Sequence, residues 1–257
     1  MTLILGLECA DGLLLASDGQ ATIGTTGQPL KGPIEKLFCA WNNVAWGGSG
    51  HVGIIQRVEQ ALCAKFPSPD DLDNKEIHVV RELLASAVAE VVRPLLTSRY
   101  IQGPESNPFT SYLFVGHVPQ GSFILEIGPD LLDEDHMARG YSAIGSGDIF
   151  PYFALTGLRH FNVREHNLAG AKLIAYRVVD DAIRAAAMYL GPPIQMVEIR
   201  KATEPGGLAA AHKLDKGELR ILEDKVAEWR LLEAETLEKF VGVSREPPDQ
   251  ADQASPA

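Results

Sequence analysis

The sequence predicts an α+β protein folded as a four-layer αββα sandwich, and three observations point there. Apolar runs come in pairs joined by short turns, as at residues 3–7 and 13–18 around Cys9-Ala10-Asp11-Gly12, which implies antiparallel pairing. These runs are apolar at successive positions, so both faces of each strand are buried. The order is strand pairs, two helices, strand pairs, two helices, a strand and a helix. Two antiparallel sheets stacked face to face between helical layers satisfy all of this.

Along the chain, residues 19–34 are rich in Gly, Thr and Pro and read as a long loop or irregular extension. Residues 36–40 and 44–46 form a second hairpin around Asn42-Asn43, a favoured turn pair. Gly47-Gly48-Ser49-Gly50 then leads into a helix with Val52, Ile55, Val58 and Leu62 on its apolar side. The break Pro67-Ser68-Pro69-Asp70-Asp71 precedes a longer helix bearing Val80, Leu84, Val88, Val91 and Leu95, with Pro94 near its end or kinking it. Strands at 112–118 and 123–127 flank Pro119-Gln120-Gly121. A short strand at 141–144 runs into Gly145-Ser146-Gly147-Asp148, the entry to a helix through Leu158. A helix over about 168–189 precedes a strand at 194–199. The last helix, about 219–240, presents Leu222, Val226, Trp229, Leu232 and Leu237 on one broad side. The expected division is a folded domain over 1–203, a helical extension over 204–244, and a disordered tail over 245–257 rich in Pro, Asp, Gln and Ser.

Composition excludes several classes. The 257 residues, 46% hydrophobic and 22% charged, are those of an ordinary globular protein with material for a sizeable core. A net charge of −11 argues against a nucleic-acid surface. No apolar run reaches the roughly 18–20 residues of a membrane span, and no secretory signal opens the chain. The three cysteines (Cys9, Cys39, Cys63) read as reduced core thiols of a cytoplasmic protein. The seven histidines have no metal-ligand spacing, so neither metal nor cofactor is expected.

Thr2 carries the chemistry. An internal threonine hydroxyl is a poor nucleophile because nothing beside it takes its proton. Once Met1 is removed, Thr2 bears a free α-amine with a pKa of about 7.7–8.0. That amine serves as general base for its own hydroxyl. Gly48-Ser49-Gly50-His51-Val52-Gly53 also matches a dinucleotide fingerprint, but hairpins precede it and Asp70 falls in a loop rather than at a strand end. No G-x-S-x-G nucleophile elbow is present.

Several segments together resemble proteasome β-type subunits and their bacterial relatives among the N-terminal nucleophile (Ntn) hydrolases. Thr2-Leu3-Ile4-Leu5-Gly6 resembles that family's nucleophile strand, and residues 12–22 its second strand with the acidic position Asp18. Lys36-Leu37-Phe38 is similar to the catalytic-lysine strand, residues 45–50 to the glycine turn before the first long helix, and Ala143-Ile144-Gly145-Ser146-Gly147 to the serine-bearing turn near the nucleophile. The likeness covers about residues 2–200 and rests on the order and spacing of these motifs. It implies a threonine peptidase with Thr2 as nucleophile, Lys36 placing positive charge beside its hydroxyl, Asp18 orienting Lys36, Gly48 N–H stabilising the oxyanion, and Ser146 binding the amine or a relaying water. It further implies polypeptide substrates, a ring-shaped homo-oligomer and an ATPase that feeds it. A four-residue turn over 9–12 sets Thr2 across from Gly19, beside Asp18; a two-residue turn at Asp11-Gly12 sets it across from Ala21. Two departures stand out. Gln20 occupies a position where the family often has arginine, and Tyr189-Leu190-Gly191-Pro192-Pro193 stands where an assisting aspartate usually follows the fourth helix. Two alternatives stay open: a silent structural subunit on the same fold, which the missing aspartate favours, and a non-proteolytic amidase of the superfamily acting on a small amide.

Overall fold

A computed structural model describes residues 2–23, 30–39, 41–97, 109–201 and 209–242; the expected disordered tail over 245–257 and the start of the extension, 204–208, lie outside them. The elements are β1 (Ile4–Cys9), β2 (Gly12–Ser17), β3 (Gln20–Ile23), β4 (Leu30–Pro33), β5 (Leu37–Phe38), β6 (Val44–Ser49), α1 (Val52–Lys65), α2 (Ile77–Thr97), β7 (Ser111–Val118), β8 (Gly121–Ile127), β9 (Asp133–Asp135), β10 (Tyr141–Ile144), α3 (Ile149–Gly157), α4 (Leu168–Ala185), β11 (Gln195–Arg200), β12 (Ala210–Lys213) and α5 (Lys216–Val241). Among the described residues they form two five-stranded sheets, in orders β10-β1-β2-β11-β12 and β5-β6-β7-β8-β9, plus a β3-β4 ribbon. Every pairing is antiparallel.

The expected αββα order is present, and side-chain alternation along β1 shows how it arises. Leu3, Leu5 and Leu7 face a core completed by α4 and by Leu222 and Val226 of α5. Ile4 faces the other way, into an inter-sheet core with Leu13, Leu15, Leu37, Leu113 and Val115. At Gly6 a Cβ would lie 3.2 Å from the Leu113 and Val115 side chains, so the sheets approach closely there. The outer face of the second sheet packs Trp46, Tyr112 and Phe114 beneath Val58, Leu62, Leu84 and Val88 of α1 and α2. Each fully buried side chain of this size contributes about 1.5–3 kcal/mol. Period-two alternation carried back from Ile4 puts Thr2 on the inter-sheet side, at the open end of the sandwich.

Several elements differ from expectation. Residues 19–34 include the β3-β4 ribbon, because backbone pairing of Gln20 with Pro33 through Ile23 with Leu30 needs no apolar pattern. Asn42-Asn43 is not a tight turn: the β5-β6 ladder begins at Phe38 and Trp46, and Asn43 is buried, donating to Leu72 O at 3.1 Å. On α1 the buried stripe is Ile54, Val58 and Leu62, whereas Val52 is 39% exposed. α4 stops at Ala185, short of Tyr189. α5 buries Leu222 and Val226, but Leu232 and Leu237 face outward. The extension also contributes β12, an edge strand on β11. Of the thiols only Cys9 is buried; Cys39 is half-buried and Cys63 exposed, all three unpaired.

Candidate active site

The β1-β2 ladder pairs Glu8 with Leu13 and Ile4 with Ser17, the register expected from a turn over 9–12 and not that of a turn at Asp11-Gly12, and it extends by one pair, Cys9 with Gly12. Asp18 N donates to Leu3 O at 3.3 Å and continues it, setting Thr2 across from Gly19. Asp18 therefore begins where the ladder ends, with its side chain turned inward and 0% exposed. Four donors converge on its carboxylate. Lys36 Nζ at 2.7 Å and Leu3 N at 2.9 Å reach Oδ1. Gln20 N at 3.2 Å and Gly191 N at 3.4 Å reach Oδ2. A buried charge is tolerated only when paired and hydrogen-bonded, as this one is. One oxygen thus ties the amide next to Thr2 to the lysine ammonium.

Lys36 is 6% exposed, so its ammonium does not reach bulk water. Burial pulls it below the ordinary lysine value of 10.5, and the Asp18 charge and hydrogen bond pull the other way. Its backbone is fixed from a distance: Lys36 N donates to Gln195 Oε1 at 3.0 Å, and Gln195 Nε2 donates to Ile34 O at 2.5 Å. A side-chain amide from β11 thereby clamps both flanks of Glu35. The β5-β6 ladder pairs Leu37 with Gly47, and one step further sets Lys36 across from Gly48.

Residues 145–147 wrap Thr2 from the other side. Gly147 N donates to Thr2 O at 3.1 Å. Gly145 has φ +97°, and a Cβ there would sit 2.2 Å from Thr2 O, so both conformation and space demand glycine. Gly48 has no positive φ; it is a strand residue lying against Ile55. Ser146 is exposed at the rim, and since α3 is capped at Asp148 without a side-chain bond, helix capping does not account for it.

Thr2, Lys36, Gly48 and Ser146 line one cavity of about 650 Å³. Asp18 lies behind it, reached through Lys36. All five expected residues are thus brought together. Sequence reasoning missed Gly191 and Gln195, which lie 173 and 159 residues from their partners and carry no local signal. The two departures from the family pattern also meet here. A Cβ on Gly191 would fall 2.1 Å from Gln20 Oε1, so the glutamine side chain fills the space beside the glycine whose amide holds Asp18. Asp148 also lines the cavity.

Among the described residues no His, Cys, Asp and Glu group could hold a metal ion, and no helix is long and apolar enough to cross a membrane.

No family model matches the sequence. The chain is 26% identical over 203 residues to proteasome subunit beta 1 of Thermococcus sibiricus, covering 77% of this chain and 86% of that protein. Among solved structures, the helical assembly of the Anbu complex from Pseudomonas aeruginosa superposes with a TM-score of 0.71 at 16% identity, over 97% of this chain and 100% of that one. Anbu from Yersinia bercovieri, described as an ancestral β-subunit, gives 0.67 at 13% identity over 96% and 99%. In sequence the chain resembles proteasome β subunits, as its motifs indicate, and in architecture it shares the αββα fold of Anbu.

Proposed function

We propose that this protein is a threonine-type peptidase whose nucleophile is Thr2, exposed by removal of Met1. The observation that carries the reading is the shared Asp18 oxygen, which holds the Leu3 amide at 2.9 Å and the Lys36 ammonium at 2.7 Å. That bridge ties a buried cation to the amide that follows Thr2. Thr2 Oγ1 attacks the scissile carbonyl while the α-amine takes its proton. Lys36 favours the developing alkoxide, and Gly48 N–H stabilises the tetrahedral oxyanion, a contribution typically about 3–4 kcal/mol. The amine gives its proton to the leaving nitrogen, and water then resolves the Thr2 ester. Ser146, at the rim, holds the α-amine or a relaying water.

The reading includes polypeptide substrates, a cytoplasmic setting, a ring of identical chains and an ATPase that feeds it. Leu231, Leu232, Leu237 and Phe240, all exposed on α5, support contacts between copies. Deleting residues 215–257 should lower the mass in solution by light scattering; an unchanged oligomer removes α5 from the contact.

The test of catalysis is reaction with a peptidyl epoxyketone and mapping of the adduct. Labelling is expected at an N-terminal Thr2 and absent in Thr2→Ala. A protein that has lost Met1 yet takes no adduct overturns the reading. The second reading, a silent structural subunit, is favoured by Tyr189-Leu190-Gly191-Pro192-Pro193, where the Gly191 amide rather than a carboxylate faces Asp18. A retained Met1 in the purified protein selects it.

A further inference from the structure

The helix α1 has two working faces. Ile54, Val58 and Leu62 close the core, while Val52, Ile55, Gln56 and Glu59 line the cavity that holds Thr2. Their spacing of three, four and seven residues is that of one stripe along a helix. The stripe starts beside Gly50, itself at the cavity wall, and runs about 10 Å at 1.5 Å per residue to Glu59. It is apolar first and acidic last. Phe38 and Glu35 line the same cavity. Glu35 lies between the two backbone groups held by the Gln195 amide, and its side chain pairs with Lys213.

The charges do not balance. Lys36 is the one basic residue among the described lining, and it is bound to Asp18. Lys213 answers Glu35, whereas Glu59 has no cation partner among the described residues. Partial burial and the Glu35 charge both push the Glu59 carboxyl above its ordinary value. A cation brought by the substrate would relieve both penalties.

Resting on the peptidase reading, we propose that this cavity selects a long basic side chain next to the scissile bond, its aliphatic stem lying along Val52 and Ile55 and its head paired with Glu59. Lysine and arginine suit such a slot because their stems are apolar and only the tip is charged. Glu59 is then a specificity-determining residue and takes no part in bond breaking.

The experiment uses three peptidyl epoxyketones on the full chain, identical except for arginine, citrulline or leucine beside the warhead. Citrulline keeps the shape of arginine and removes its charge. The arginine probe should label Thr2 about tenfold faster than the citrulline probe, the equivalent of about 1.4 kcal/mol. In Glu59→Gln the two rates should converge while the leucine rate stays within about twofold, since a polar-to-polar change outside the reacting groups leaves the nucleophile untouched. Equal arginine and citrulline rates in the unaltered protein, or a preference that survives Glu59→Gln, overturn this inference and leave the peptidase reading standing. No labelling by any of the three overturns the peptidase reading, and the selectivity with it.

Discussion

Two ends of the first sheet each bury a carboxylate, and they do it in opposite ways. At the Thr2 end, Asp18 is 0% exposed and has a single cation, Lys36, at 2.7 Å. Its remaining donors are backbone amides. At the far end, buried Glu198 is shared between Lys172 at 2.7 Å and Arg200 at 3.0 Å, and Arg200 lies largely in water. At the same end Glu8 is shared between Arg164 at 2.6 Å and Lys201 at 3.5 Å. Desolvation is the dominant cost of a buried charge, so a sealed pair has no substitute partner and an open network does. The sealed end holds its groups in one geometry, as chemistry requires. The open end tolerates rearrangement, as a structural clasp can.

The largest effect should come from breaking the sealed pair. Asp18→Ala leaves the Lys36 ammonium buried alone and should cost about 3–5 kcal/mol in urea unfolding. That is a large share of the roughly 5–15 kcal/mol by which such a fold is stable. Asp18→Ala combined with Lys36→Met should recover much of the loss, since no charge then remains buried, while labelling of Thr2 stays absent. A double variant no more stable than the single would dissolve the contrast between the two ends.

Next comes Gly145→Ala, which forces a side chain into φ +97° against the Thr2 carbonyl. A loss of about 1–3 kcal/mol by thermal unfolding is expected, together with a fall in Thr2 labelling. Stability lost with labelling intact would show that the turn does not position the threonine.

A smaller change is expected at the open end. Burial alone would raise the Glu198 carboxyl, but bonds from Lys172 and Arg200 outweigh it and hold the group below its ordinary 4.5. An acid lowered by folding contributes stability that is present above the unfolded value and is lost as pH falls through the folded one. The window therefore lies below about pH 4.5. Glu198→Gln should cost about 1–3 kcal/mol at neutral pH and flatten the acid limb of a melting-temperature profile. An unchanged acid limb would remove Glu198 from this account. Smallest is Glu233→Gln, which weakens the two-point bond from Arg177 that ties α5 to α4. As Glu233 lies near the surface, less than about 1 kcal/mol is expected.

The motif-bearing segments were legible because each has a local cause. Consecutive apolar residues in β1 and β2 announce strands buried on both faces, and the 3.6-residue stripe of α4 announces a covering helix. Thr2 stood out as a candidate by its place after Met1, and Asp18, Lys36, Gly48 and Ser146 through the resemblance to proteasome β-type subunits. Other features left no local trace. β9 is Asp133-Glu134-Asp135, a strand only because it borders Leu125, Glu126 and Ile127 on an open edge. β12, Ala210-Ala211-His212-Lys213, is likewise held by pairing with β11. In α1, Val52 and Ile55 look like core positions, and whether an apolar stripe meets a sheet or a cavity depends on what lies opposite.

By itself the sequence determined the layers, the β1-β2 and β7-β8 hairpins and the residue types at the chain start. Hydrophobic periodicity and turn chemistry act over a few residues, and those choices require nothing more distant. Only the tertiary structure decided that Gly191 closes the Asp18 carboxylate, that Gln195 clamps Lys36, and that Glu59 faces the cavity unpaired. Those contacts join segments more than a hundred residues apart or depend on an empty space, and neither leaves a pattern in the chain until the two sheets have stacked.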